Sequence, residues 1–177
     1  MTNSDLKRAK RILVVGCSGG GKSTLSGVIS SKLGLPAIHL DVEFWKPGWT
    51  ETPRDMFRKK VEALSARDQW VMDGTFSGSF DIRFPRADLV VVIDLPRLTC
   101  LWRAVTRVIK YRKSDNRPDM AEGCGEKFDL DFYKYIWTFK SKVNPHIEAA
   151  LDKFNMREHV VYLKTQQEID DFIQTLS

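Results

Sequence analysis

Short apolar runs alternate with longer helical patterns along the chain. Ile12, Leu13, Val14 and Val15 make a continuous apolar run within Arg11–Gly16 that stops at a glycine, the pattern of a strand buried on both faces. From Lys22 to Leu33, Leu25, Val28, Ile29 and Leu33 recur at helical spacing, and Gly34 and Pro36 close the helix. Ala37–Asp41 reads as a second short strand. Thr52 is expected to cap a helix, with Pro53 at the first helical position and Asp55 in the first turn. That helix runs to about Ala66, with Phe57, Val61 and Leu64 on one face. Trp70–Asp73 and Leu89–Asp94 are the third and fourth strands. A helix opening at Pro96 carries Leu98, Leu101, Trp102, Val105, Val108 and Ile109 as an apolar stripe, with Arg103, Arg107 and Lys110 opposite it. Asp129–Leu151 is mostly helical and must kink or break at Pro145. His159–Leu163 is a last strand and Gln166–Leu176 a terminal helix. Alternation of this kind predicts an α/β fold, a parallel sheet covered by helices on both faces, in a single domain spanning 1–177.

Tyr111–Lys127 breaks the pattern. It is long, polar and without a period, and it contains Gly123 and Gly125. A loop of this length in a compact domain is either functional or disordered, and its place after a basic helix makes it a candidate lid.

Composition narrows the class. With 42% hydrophobic and 29% charged residues the chain is that of an ordinary globular protein. No apolar run approaches the roughly 18–20 residues of a membrane span, and the apolar run after the polar N-terminus is too short for a signal peptide. A cytoplasmic protein is expected. Cys17, Cys100 and Cys124 are odd in number and lack paired metal spacing, which argues against a disulfide scaffold or a zinc site. The net charge is +5, but seven basic residues and one acid, Asp115, fall between Arg97 and Arg117. So concentrated a cationic segment fits a polyanionic ligand, either the phosphates of a nucleotide or a nucleic-acid backbone.

The chemistry is carried by Gly16-Cys17-Ser18-Gly19-Gly20-Gly21-Lys22-Ser23, which meets every fixed position of the phosphate-binding pattern G-x-x-x-x-G-K-S/T between a buried strand and an amphipathic helix. Glycines let backbone N–H groups turn inward around phosphates without a clashing Cβ. The following helix points its partial positive end at the same anion. Lys22 is placed to reach the outer phosphates of a nucleoside triphosphate, and the Ser23 hydroxyl to ligate Mg²⁺. Such sites add a carboxylate at the end of a neighbouring strand. Asp73 and Asp94 both qualify by position, and spacing alone does not choose between them.

With these residues in view, the chain resembles a P-loop kinase of the adenylate-kinase-like group, and more narrowly the bacterial topology modulation proteins. The resemblance runs from about Arg11 to Ile173. It rests on Gly16–Thr24, on His39-Leu40-Asp41 with Phe44–Trp49, and on Val71-Met72-Asp73-Gly74. It continues through Asp94-Leu95-Pro96, Leu101-Trp102-Arg103 and Arg117–Cys124. It implies a P-loop three-layer sandwich with a five-stranded parallel sheet in the order 2-3-1-4-5, and ATP with Mg²⁺ as the nucleotide and ion. It also implies that Gly16, Ser18, Gly19, Gly20, Gly21, Lys22, Ser23, Thr24 and Arg103 bind the nucleotide and that Ser23 and Asp73, rather than Asp94, serve the metal. Arg103 and Arg107 match paired arginines that contact base and phosphates. Asp41 matches a residue facing the acceptor, and Arg58 an acceptor-binding arginine. The chain departs from adenylate kinase after the third strand, where Asp73-Gly74-Thr75-Phe76-Ser77 lacks the arginine that grips a monophosphate.

The smaller features keep two readings each. Arg103 and Arg107 are a solvated face or phosphate contacts, and Arg117, fixed by Pro118, is an arginine a closing lid would bring in. Trp45 and Trp49 flank Pro47-Gly48, so one stacks on a ring-bearing acceptor or both cover the core edge. Cys17 lies near a helix N-terminus, where thiol pKa values fall. His39, His146 and His159 share no spacing that assigns them a role. The resulting expectation is an ATP-dependent phosphotransferase acting on a small-molecule acceptor, with Lys22, Asp41, Arg107 and Arg117 as catalytic groups. A nucleotide-dependent nucleic-acid-binding regulator is the alternative.

Overall fold

The apolar runs pair side by side, all parallel, with the first at the centre. The computed structural model describes residues 6, 8–111, 123–125 and 128–176. Strand β1 (Arg11–Gly16) is followed by α1 (Lys22–Leu33), β2 (Ala37–His39) and α2 (Leu40–Phe44). A two-residue antiparallel pair, β3 (Trp45–Lys46) and β4 (Thr50–Glu51), precedes α3 (Arg54–Ser65) and β5 (Trp70–Asp73). Next come α4 (Phe80–Arg83), β6 (Leu89–Ile93) and α5 (Arg97–Tyr111). The last elements are α6 (Leu130–Lys142), α7 (Asn144–Lys153), β7 (Val160–Leu163) and α8 (Gln166–Thr175).

The main sheet runs β2-β5-β1-β6-β7. Counted among its own five strands, that is the expected order 2-3-1-4-5. Leu13, Val14 and Val15 of β1, and Val90 and Val91 of β6, are fully buried. Both faces of these strands are covered, which is why they read as unbroken β-branched runs rather than alternating ones. All five carboxyl ends share one edge, and the order of the strands reverses at β1, the position where open parallel sheets leave a crevice. Among the described residues no helix is long and apolar enough to cross a membrane.

Several elements differ from the sequence expectation. Strand β2 stops at His39, and Leu40 and Asp41 open α2. Leu40 is fully buried, a burial the sequence pattern shares between a strand end and a helix start. Thr52 does not cap α3 through its side chain. It is buried, its hydroxyl donates to the Glu43 carbonyl, and Pro53 takes the cap position. The helix containing Pro145 breaks at Val143, two residues before the proline, which then sits in the first turn of α7 where its missing N–H costs nothing. The apolar stripe of α5 is not its buried face. Cys100 and Ala104 are buried, whereas Leu98, Trp102 and Ile109 are exposed. The candidate lid, with Arg112 and Arg117, lies outside the described residues apart from Tyr111 and Gly123–Gly125.

Candidate active site

The phosphate loop is shaped by close backbone approaches. Gly16 ends β1 at φ 141°, and a Cβ there would stand 2.2 Å from the Ile93 carbonyl oxygen. At Gly19, φ 79°, a Cβ would stand 2.2 Å from the Cys100 carbonyl oxygen. Side chains are thus excluded where the loop turns between β6 and α5. Gly21 caps α1 in the left-handed region and offers no side-chain acceptor, so the first N–H groups of a twelve-residue helix depend on something else for hydrogen bonds. Lys22 folds over the loop, its Nζ donating to the Cys17 carbonyl at 3.1 Å. Ser18 is half-buried and Thr24 exposed beside it. The lowering expected at the Cys17 thiol is outweighed. A hydrogen bond with Cys100 and burial push it up instead.

On the side of β5, the hydroxyl of Ser23 donates to Oδ1 of Asp73 at 3.3 Å. Asp73 is fully buried, and its Oδ2 lies 2.5 Å from Nδ1 of His39. The strands explain the meeting: His39 and Asp73 end β2 and β5 as register partners. Asp94 is held elsewhere, by Lys140 Nζ at 3.3 Å and Asn144 Nδ2 at 3.2 Å. Sequence spacing by itself gives His39 no role. The signal was present, since a sheet order that sets the second strand beside the third also sets their final residues side by side.

Two further groups went unmarked in the sequence. Thr75 both accepts from the Gly16 N–H (3.2 Å) and donates to the Gly16 carbonyl (2.7 Å), joining the segment after β5 to the start of the phosphate loop. Arg83 is fully buried. Its guanidinium donates to the carbonyls of Gly74 (2.8 Å), Thr75 (2.6 Å) and Phe76 (3.1 Å) and to the Ser79 hydroxyl (3.1 Å). Burial pushes its pKa down to about 9, while the charges of Asp73 and Asp81 pull the other way. This one side chain fixes the loop that follows the buried acid, including Phe76 at the rare φ of 26°.

Asp41 is in the first turn of α2, two residues beyond His39. Tyr135 on α6 approaches the same region. Burial, with Cys17 and Asp41 nearby, pushes its hydroxyl pKa upward. Trp45 and Trp49 meet edge to face at 5.3 Å. Trp49 adopts φ 61° and donates from Nε1 to the Gly125 carbonyl at 3.0 Å. Gly48 N–H to the Gly123 carbonyl (3.1 Å) and the Cys124 thiol to the Lys46 carbonyl (3.2 Å) bind the same segment to the β3–β4 turn. Arg58 forms a fork with both Asp81 oxygens, at 3.0 and 2.7 Å, and donates to the Gly78 carbonyl. That hydrogen-bonded pairing holds the Asp81 carboxyl below its usual range. Of the arginines on α5, Arg103 donates to the Gly20 carbonyl (3.4 Å) and to Gln166 (2.7 Å). Arg107 lies 5.7 Å over the Phe132 ring. Lys22, Ser23, Asp73 and Arg103 are therefore gathered around the phosphate loop, Arg58 is tied to α4, and Arg117 lies outside the described residues.

No family model matches the chain. Over 92 residues it is 32% identical to "Uncharacterized protein YqaC" of Bacillus subtilis (strain 168). That match takes in 50% of this chain and 51% of the other, so the chain spans about half the length of the curated relative it matches. Among solved structures, shikimate kinase from Acinetobacter baumannii in complex with shikimate superposes with a TM-score of 0.63 at 17% identity. It covers 99% of this chain and 94% of that one. Shikimate kinase from Aquifex aeolicus gives 0.53 at 19%, covering 94% and 95%. These matches do not carry the narrower resemblance to topology modulation proteins. What they show is the fold, a five-stranded parallel α/β sandwich similar to that of the shikimate kinases.

Proposed function

We propose that this chain transfers the γ-phosphoryl group of ATP to a hydroxyl of a small acceptor. The observation that carries the reading is the pair formed by Ser23, in the phosphate loop, and the buried Asp73 beside it. Both are hard oxygen donors. They suit Mg²⁺, which takes one or two protein oxygens and completes its shell with water and phosphate. When bound, the ion would neutralise charge on the β- and γ-phosphates. The loop N–H groups and the start of α1 bind the phosphates, and Lys22, released from the Cys17 carbonyl, reaches their outer oxygens. Arg103, anchored beside Gly20, adds a cation where negative charge accumulates, and Arg107 and Arg117 are assigned the same task from the sequence. Asp41 orients the acceptor hydroxyl and takes its proton. Trp49 and Arg58 shape the acceptor side, the first from its turn and the second through α4.

The nucleic-acid reading of the basic segment gains nothing from the described cations. Arg97 stacks on Trp137, Arg103 is turned to the phosphate loop, Arg107 lies over Phe132 and Lys110 over Tyr111.

The test is transfer from γ-labelled ATP with Mg²⁺ to a panel of nucleosides, nucleoside monophosphates and small hydroxylated metabolites, shikimate among them. Lys22→Ala serves as the blank. A labelled product absent from the blank is expected, and equal product from Lys22→Ala would overturn the site. Asp41→Asn should lower turnover by roughly 100-fold or more while leaving ATP affinity nearly unchanged. A matching loss of ATP affinity would move Asp41 to the nucleotide side.

A further inference from the structure

Leu98, Trp102 and Ile109 on α5 are 68%, 69% and 72% exposed. With half-buried Val105 they recur at intervals of four, three and four residues. At 3.6 residues per turn these four positions fall within a stripe about 60° wide that faces away from the core. Phe128 and Leu130 are also exposed, at or just before the start of α6, and half-exposed Trp137 on the same helix carries the Arg97 guanidinium 4.3 Å above its ring. Large apolar side chains exposed in line along one helix face mark an interaction site.

The residues of this sequence outside those described offer few apolar side chains to set against it. Residues 1–5, 7, 112–122, 126–127 and 177 contain Met1, Pro118, Met120 and Ala121 as their only apolar side chains. The charge pattern then selects among outside partners. The four cations of α5, Arg97, Arg103, Arg107 and Lys110, lie off the stripe, and the positions that flank it are Thr99, Leu101, Thr106 and Val108. A helix that binds a membrane surface carries its cations alongside the apolar face, and an acidic partner would need them there too. A second copy of the same stripe meets no like charge. Its 4-3-4 spacing is the knob pattern by which two helices pack along one seam, and a two-fold axis makes the surface complementary to itself.

We propose that two copies of this chain associate through Leu98, Trp102, Val105 and Ile109 of α5, about a two-fold axis, with Arg103 of each copy left facing its own phosphate loop. Three turns of helix make a small interface by the standard of stable dimers, so association is expected at roughly micromolar concentrations. Trp102 sits at its centre and is the anchor.

Sedimentation equilibrium of the full chain, from about 1 to 200 µM, tests this without reference to catalysis. The mass of two chains should appear as concentration rises, and added salt should not weaken it, because the seam is uncharged. Trp102→Glu should weaken association on the order of 30-fold or more. Ile109→Glu should do the same at the far end of the seam, and Lys110→Glu, off the stripe, should not. The side chains are exposed, so each variant should fold with an unchanged far-UV spectrum. A single-chain mass at every concentration, or a dimer that both Trp102→Glu and Ile109→Glu leave intact, overturns the proposal.

Discussion

Each oxygen of the buried Asp73 carboxylate has its own partner, Ser23 on Oδ1 and His39 on Oδ2. The contact between His39 Nδ1 and Asp73 Oδ2, at 2.5 Å, fixes both the ring and the acid. If Asp73 serves Mg²⁺ as proposed above, a group that orients it in this way is expected to contribute about 10–100-fold in metal affinity. His39→Ala should therefore raise the Mn²⁺ concentration needed to half-saturate the ADP complex by about tenfold, read by electron paramagnetic resonance. His39→Asn, which keeps a donor at nearly the same place, should restore most of that affinity. Equal Mn²⁺ affinity in His39→Ala would show that Asp73 holds its position without the imidazole. Arg83 acts one step further out. By binding three successive carbonyls it sets the loop after β5, and no shortened side chain can reach all three.

Among the elements, those with a clear apolar run or helical spacing and a polar or glycine boundary are legible residue for residue. Arg11–Gly16, Lys22–Leu33 and Trp70–Asp73 stand where the pattern set them. The misses share a cause: burial reports that a residue is covered but not by what. Leu40 is buried whether it ends a strand or begins a helix. The stripe of α5 is as apolar as a core face, yet the helix turns Cys100 and Ala104 inward and leaves the larger residues outside. The His39–Asp73 and Thr75–Gly16 pairs depend on sheet register, which no single segment carries. Another such tie is Asp88, just before β6, which accepts from the N–H groups of Lys10 (3.0 Å) and Arg11 (2.8 Å) and from Arg11 Nη2 (2.9 Å). Partial burial pushes its carboxyl upward, but the hydrogen bonds from Arg11 and the two backbone N–H groups outweigh this and hold it below the usual range. Because the folded value lies below the unfolded one, its stabilisation is present at neutral pH and is lost as pH falls through the folded value. Asp88→Asn should cost about 1 kcal/mol in urea melts at pH 7, a figure kept small because the group is a third exposed. The difference should shrink towards zero as pH falls below the usual carboxylate range. A cost that stays constant with pH would assign it to shape rather than charge.

At the scale of the whole molecule, α5 separates two surfaces. One side holds Arg103 against the phosphate loop, and the other presents Leu98, Trp102 and Ile109 outward. Nucleotide binding and self-association should therefore be separable by substitution, even though one helix serves both. A ligand that binds only the folded state at about 100 times its dissociation constant stabilises by about 2.7 kcal/mol, or roughly 5–10 °C for a chain of this size. A dimer makes the melting temperature rise with protein concentration by the same linkage. Wild-type protein should show both effects with ADP and Mg²⁺. Lys22→Ala should keep the concentration dependence and lose most of the ligand shift, because the lysine that reaches the phosphates is gone while the seam is untouched. Trp102→Glu should do the reverse, melting independently of concentration and still gaining several degrees from the nucleotide. If Trp102→Glu lost the ligand shift as well, the outward face of α5 would be supporting Arg103 and the phosphate loop, and pairing would have to be treated as part of the nucleotide site.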